Sequence, residues 1–307
     1  MSALFAAVIG WESGMKIVSI GEVLWDVLGA EEHLGGASFN FSAHARKLGH
    51  EVFFVSGAGQ DDRGQRILNR MEQMGLSTRY VRTAPEAATG LVTVELIEGG
   101  QPRFTLHRPA AYDYPGLRDD LISELVSPPP DWIYFGTLSL MAESVKSLAL
   151  RLISAAPASG KLYDVNLRPQ SYNNPLVREL LSLANVVKLN DQEIAEVDEM
   201  LGGRNDSIEK FCRTHAREFG WEAVCVTRGA QGCALFVRGE YLESPGYKVR
   251  IADAIGAGDA FAAAFLHGYQ SGWPAAKIAD FANRVGALIA SHPGAIPDWS
   301  LEDALAI

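Results

Sequence analysis

Six short apolar runs recur along the chain: KIVSIG (16–21), EVFFVS (51–56), DWIYFG (131–136), KLYDV (161–165), NVVKL (185–189) and EAVCVT (222–227). Runs of this length and character read as strands buried on both faces. Helical patterns lie between them. Ser38 is placed to cap a helix carrying Phe41, Ala45 and Leu48 and ending at Gly49. Ile67, Leu68, Met71 and Met74 repeat at helical spacing before Gly75. Pro175 and Pro274 suit first-turn positions, and the helix after Pro274 sets Ile278, Phe281, Val285, Leu288 and Ile289 on one face. Strand and helix in alternation predict an α/β fold, a doubly wound and mostly parallel sheet with helices on both faces.

Two β-rich stretches, 21–36 and 89–108, break the alternation. The second alternates at Leu91, Thr93 and Glu95 and carries a hairpin turn signal at Glu98-Gly99-Gly100. Both follow βα units, so they are expected to pair as a small lid above the C-terminal ends of the main strands, where open α/β folds bind ligands. The plain alternative is two decorative hairpins. Without internal repeat, low-complexity segment or linker, residues 15–307 read as a single domain with lid segments at about 21–36 and 89–108. Residues 1–14 have no basic start and too short an apolar run to span a membrane, and read as a leader or appendage before Met15.

With 27 Lys and Arg against 37 Asp and Glu, the net charge is −10 and no basic run occurs. That argues against nucleic-acid binding. Any anionic ligand must be held by local amides and a few cations. The three cysteines, Cys212, Cys225 and Cys233, have no metal-ligand spacing and read as buried thiols in a reducing compartment. No stretch looks transmembrane, so no membrane partner is expected and the cytoplasm is the default location.

The most chemically informative stretch is Asp253-Ala254-Ile255-Gly256-Ala257-Gly258-Asp259, followed by good helix formers. Its glycines allow a tight bend and close approach, and a helix beginning near Gly258 would aim its first amides at an anion. A carboxylate beside such a cradle, Asp259, suits proton abstraction; the alternative is a capping Asp at a helix start. Gly35 and Gly36 precede Asn40, which offers donor and acceptor to a hydroxyl. The run from Gly57 to Gly64 is no dinucleotide fingerprint, because Asp62 stands where the third glycine is needed. No Gly-x-x-x-x-Gly-Lys-Ser/Thr run occurs, which excludes a P-loop enzyme. Arg168 brings a fork-shaped cation to a strand end, for a ligand or a surface salt bridge. Asn190 and Glu193, three apart, make either a helix capping box or a ligand pair. Thr227 to Gly232 forms a tight turn between two strands. Asn283 sits among apolar helical neighbours with no evident role.

Taken together, these segments resemble the PfkB/ribokinase family of carbohydrate kinases, from about Lys16 to Ala295, most closely its fructokinase-like members. The family's Asp-x-Thr-Gly-Ala-Gly-Asp signature reads here DAIGAGD, with Ile255 in place of Thr. The resemblance implies a ribokinase-like fold and transfer of the γ-phosphoryl group of ATP to a hydroxymethyl group of a small sugar, fructose first. Ketodeoxygluconate kinase and ribokinase are the alternatives, and a non-catalytic sugar sensor on the same fold is the alternative of a different class. It implies Asp259 as base, with Gly256, Ala257 and Gly258 as the anion cradle. Asp26, Gly35, Gly36, Asn40 and Arg168 then meet the sugar. Asn190, Thr227, Gly229, Gly232 and Asn283 meet the nucleotide. Glu193 acts on Mg²⁺ through water, and Asp253 could join a K⁺ site that Ile255 leaves open. Fructokinase-like lids further imply a homodimer.

Overall fold

The computed structural model describes residues 14–96 and 102–307. The turn signal at 98–100 and nearly all of the 1–14 leader lie outside them. The strands are β1 Lys16–Ile20, β2 Leu24–Leu28, β3 Glu31–Gly35, β4 Glu51–Gly59, β5 Val81–Ala84, β6 Gly90–Leu96, β7 Pro102–His107, β8 Trp132–Gly136, β9 Gly160–Asp164, β10 Val186–Asn190, β11 Ala223–Thr227, β12 Cys233–Val237 and β13 Glu240–Ser244. The helices are α1 Ala37–Lys47, α2 Asp62–Gln73, α3 Asp119–Val126, α4 Thr137–Leu140, α5 Glu143–Ala155, α6 Asn174–Leu183, α7 Asp191–Met200, α8 Ile208–Phe219, α9 Ala257–Gln270, α10 Ala275–Ala290 and α11 Leu301–Leu305.

Nine strands form one sheet in the order β13-β12-β11-β10-β9-β8-β1-β4-β5. Pairing is parallel from β11 through to β5, and β12 and β13 add antiparallel to one edge. Each central strand is apolar on both sides for one reason: both sides are covered. Ile17, Phe54, Tyr134, Leu162, Val186 and Ala223 face α1, α2, α9 and α10. Val18, Val55, Phe135, Tyr163, Val187 and Val224 face α3 and α5 to α8. This is the doubly wound, mostly parallel sheet that the alternation predicts. No helix among the described residues is long and apolar enough to cross a membrane.

The two β-rich stretches lie in one separate four-stranded sheet, order β3-β2-β6-β7. Its centre is a parallel pair in which Asp26 stands opposite Val92. Leu24, Val92, Ala110 and Tyr112 form a small apolar cluster of their own.

Two helix starts differ from the sequence expectation. Gly36, not Ser38, takes the cap position of α1, at φ 108°. A Cβ at Gly36 would lie 2.6 Å from the Glu22 carbonyl oxygen, so only glycine fits this bend. Ser38 is turned inward instead, and its hydroxyl donates to Glu22 Oε2 at 3.4 Å. Pro274 precedes the first turn of α10 as its cap residue, one position earlier than expected.

α1 is held to the sheet by an aromatic contact. The Phe41 and Tyr134 rings stack at 3.8 Å and 8°, both fully buried. Phe41→Ala removes this contact and leaves a cavity under α1. It is expected to cost about 3–5 kcal/mol in urea unfolding. A loss below about 1 kcal/mol would mean that α1 is anchored elsewhere.

Candidate active site

α9 begins at a glycine that no other residue could replace without movement. Gly256 caps the helix at φ 79°, and a Cβ there would lie 2.5 Å from the Ala295 carbonyl oxygen. The Ala257 amide turns back toward the Ala254 carbonyl at 3.4 Å. The Gly258 and Asp259 amides make no hydrogen bond among the described residues, as expected for a helix start. The helix behind them is buried on every side from Asp259 to Tyr269, which its small residues Ala262 to Ala264 permit.

Asp259 is buried beside this turn. Asn40 Nδ2, from α1, donates to Asp259 Oδ2 at 2.8 Å across 219 residues of sequence. That leaves Asn40 Oδ1 as a buried acceptor without a partner. An unsatisfied buried oxygen is costly, so it is open to a donor from a water, an ion's hydration shell or a ligand. Burial pushes the Asp259 carboxyl up to about 6, and the Lys188 charge opposes that rise.

The small sheet brings Asp26 to the same region. A Cβ at Gly35 would lie 2.7 Å from Asp26 Oδ2, so glycine is what lets the carboxylate sit there. Burial raises Asp26 to about 6 as well, against the pull of Arg168. Arg168 is exposed, acts electrostatically on both Asp26 and Asp259, and forms no ion pair among the described residues. Asp26, Gly35, Gly36, Asn40, Arg168 and the Gly256–Asp259 turn are therefore neighbours in space.

Asn190 and Glu193 form the capping box of α7. Asn190 Oδ1 accepts the Glu193 amide at 2.9 Å, and Glu193 Oε2 accepts the Asn190 amide at 2.8 Å. Glu193 Oε1 also accepts the Leu167 amide at 2.8 Å, tying the loop before Arg168 to this helix. Burial raises the Glu193 carboxyl, with Lys188 opposing. The cap reading of this pair is therefore real, and it leaves each carboxylate oxygen with one further lone pair.

Asn190 and Thr227 are register partners at the ends of β10 and β11. The turn after Thr227 uses Gly229 at φ 53° and Gly232 at φ 87°. A Cβ at Gly232 would lie 2.2 Å from the Ser244 carbonyl oxygen. Asn283 Nδ2 donates to Ser244 Oγ at 3.3 Å and the Pro245 carbonyl at 3.2 Å. Asn283 thus has a structural task that its sequence context does not reveal: it ties the end of β13 and the residue after it to α10. Asp253 Oδ1 accepts the Ile255 amide at 3.0 Å, and Oδ2 accepts the Gly294 amide at 3.2 Å.

Sequence reasoning missed Lys188 and Asp164. They are register partners on β10 and β9, with Lys188 Nζ 3.0 Å from both Asp164 oxygens. Asp164 is fully buried and Lys188 nearly so. The signal was present: each is a charge one residue before the end of an apolar run, and the two charges are opposite.

Comparison with known proteins bears on this arrangement. The sequence model of a family described as pfkB family carbohydrate kinase matches residues 16–302. Fructokinase-2 from Zea mays is 30% identical over 310 residues, covering 92% of this chain and 90% of its own. The fructokinase of Escherichia coli is 27% identical over 304 residues, covering 92% and 95%. A sugar kinase from Pyrococcus horikoshii, solved in complex with ATP, superposes with a TM-score of 0.81 at 26% identity, covering 95% of this chain and 97% of that one.

The two amides held by Glu193 make a stability prediction. Glu193→Gln keeps one carbonyl acceptor and puts an NH₂ donor against the other amide. It is expected to cost about 1–3 kcal/mol in urea unfolding. Unchanged stability would mean that the box carries no structural load and that Glu193 serves a ligand alone.

Proposed function

Because this chain belongs to the pfkB family of carbohydrate kinases, we propose that it transfers the γ-phosphoryl group of ATP to a hydroxymethyl group of fructose. The observation that carries this reading is the Asn40–Asp259 pair: a buried carboxylate joined to a buried amide whose oxygen has no partner, at the mouth of an amide-lined turn. A substrate hydroxyl can donate to Asn40 Oδ1 or to Asp259, and two such groups fix its direction. Asp259 takes the hydroxyl proton as the oxygen attacks the γ-phosphorus; the bond to the β,γ-bridging oxygen breaks, ADP leaves with that electron pair, and the new O–P bond forms on a neutral ester oxygen. The Gly258 and Asp259 amides lie where a transferring phosphoryl needs donors, and glycine keeps side chains out of the line of attack. Asp26, on the small sheet over Gly35, is the further hydroxyl acceptor. Asn190, Thr227, Gly229, Gly232 and Asn283 are the nucleotide side of the cleft.

The residues fit magnesium in a limited role. Among the described residues no three or more His, Cys, Asp or Glu side chains group as a metal cage. Kinase magnesium is held mainly by phosphates and water with one or two carboxylates, which leaves Glu193 a water-mediated contact. Held through water by Glu193, magnesium would supply positive charge to offset the negative charge of the phosphates. Potassium fits less well. Both Asp253 oxygens accept backbone amides. The Ala290 carbonyl accepts the Ala252 and Asp253 amides at 2.9 and 3.3 Å, and His44 Nε2 donates to the Ala295 carbonyl at 3.0 Å. The loops that such an ion would join are already joined directly.

Relatives named as fructokinases support fructose. One observation favours a second substrate: the exposed, unpaired Arg168 guanidinium beside Asp26 suits the carboxylate of a ketodeoxygluconate. ATP-coupled assays over fructose, ketodeoxygluconate, ribose and nucleosides decide between them. Fructose is expected to give the highest kcat/KM. A higher value for ketodeoxygluconate moves the assignment to the sugar acid, and sugar binding without turnover on the whole panel would make this a sensor.

Asp259→Asn keeps the shape and removes the base. It is expected to lower kcat by about 10²–10⁴ while sugar affinity changes little. The wild-type kcat should fall as pH drops below about 6, because the buried carboxyl protonates there and a protonated base accepts nothing. A near-normal kcat in saturating Asp259→Asn assays would remove Asp259 from the mechanism.

A further inference from the structure

The cleft collects buried carboxylates. Asp164 is fully buried, and Glu22, Glu193 and Asp259 are each less than a tenth exposed. A carboxylate taken out of water needs a charge partner or several donors to stay ionised. Glu22 has the Ser38 amide, the Ser38 hydroxyl and the Ser139 hydroxyl, and Glu193 has two amides. Asp259 has one neutral donor, Asn40. The cation that faces it from inside the protein is Lys188.

Lys188 is placed by the sheet register. It stands between Asp164 on β9 and Cys225 on β11, on the face that carries Tyr134 and is covered by α1 and α9. Its ammonium reaches the underside of the glycine turn, since a Cβ at Gly258 would lie 3.3 Å from Nζ. Asp164 holds it there through both oxygens at 3.0 Å, and the Tyr134 hydroxyl donates to Asp164 Oδ2 at 3.3 Å. The Tyr134 ring stacks on Phe41, next in sequence to Asn40. A closed chain of contacts thus runs from the Asp259 carboxylate through α1 and the sheet back to the turn that ends at Asp259.

We infer that Lys188 is a positioning residue for phosphoryl transfer: held by Asp164 beneath Gly258, it supplies the positive charge that keeps the buried Asp259 carboxylate ionised and in place. The inference rests on the reading of Asp259 as base. The charged and titratable groups around Asp259 are Lys188 on β10, Asp164 on β9, Tyr134 on β8 and Arg168 in the loop after β9; those around Lys188 add Glu193 on α7 and Cys225 on β11. Arg168 is exposed and screened, whereas Lys188 is buried beneath Gly258, the neighbour of Asp259, and is the strongest charge acting on that carboxylate. Burial works against the Lys188 ammonium, but Asp164, Asp259 and Glu193 hold it above its ordinary value, so it stays charged throughout the working range.

Removing a cation raises a neighbouring carboxyl, by about 1–3 pH units for a close charge. Lys188→Met should therefore move the acid limb of kcat upward by about 1–3 units, lower kcat at neutral pH by about twofold for the smallest shift and about a hundredfold for the largest, and recover activity as pH rises, with sugar KM little changed. Lys188→Arg keeps the charge and should keep the wild-type limb. Asp164→Asn carries the opposite sign: it removes a negative neighbour, retains an acceptor for Lys188, and should move the limb downward. This second variant decides the matter if Lys188→Met does not fold. A limb unmoved in folded Lys188→Met, or unmoved or raised in Asp164→Asn, overturns the inference. Carbon-13 titration of the Asp259 carboxyl in the wild-type and variant proteins reads the same shift without any substrate. A carboxyl that moves as described in a protein that phosphorylates no sugar upholds the role of Lys188 and rejects the kinase reading of Asp259; a carboxyl that does not move rejects Lys188 alone.

Discussion

A sheet covered by helices on both faces admits polar side chains only where its strands end, because elsewhere they would be buried without partners. The rows of this sheet follow that rule. Leu162, Val186 and Ala223 are apolar, and the next row on the same face reads Gly136, Asp164, Lys188 and Cys225. Asp164 and Lys188 are tolerated there because the parallel register sets them side by side. The candidate site residues lie at this end of the sheet, on the loops and small sheet above it, or on α1, α7, α9 and α10. The charged candidate residues gather where the architecture first lets charge in.

The second condition is close approach. α9 is made of residues small enough to be buried all round, and its glycine turn rests on Lys188 below and the Ala295 loop beside it. That loop is fixed in its turn. His44 Nδ1 accepts the Trp299 indole proton at 3.1 Å, so its other nitrogen carries the proton given to the Ala295 carbonyl. Burial pushes His44 down to about 4, which keeps the imidazole neutral and this hydrogen-bond pattern constant near neutral pH. Asp253 completes the clamp through Ile255 and Gly294. A turn held from several sides meets a ligand without reorganising, which is what electrostatic stabilisation of a transferring group requires.

Pattern recognition in the sequence works well for the strands and less well for roles. The six apolar runs become β1, β4, β8, β9, β10 and β11 with shifts of one to three residues at their ends. Ser38 fails as a cap because the capping signal is local, whereas Glu22 and the space around Gly36 are not visible beside it in the sequence. Asn190 and Glu193 satisfy the cap reading, and the ligand reading survives only because carboxylate oxygens have lone pairs to spare. Asn283 has a partner after β13, a strand with no place among the six apolar runs.

Periodicity and composition by themselves determined the layered α/β architecture, the helix faces that are buried, and the loop chemistry of the glycine turn. Those are properties of short segments, and physics at the scale of a few residues is enough to read them. Only the tertiary structure decided that Asn40 meets Asp259 across 219 residues, that Asp26 and Arg168 act on one region, and that Lys188 answers Asp164 beneath Gly258. These depend on strand order and register, which set distant residues side by side. A lone lysine in NVVKL carries no sign of its partner until β9 is laid against β10.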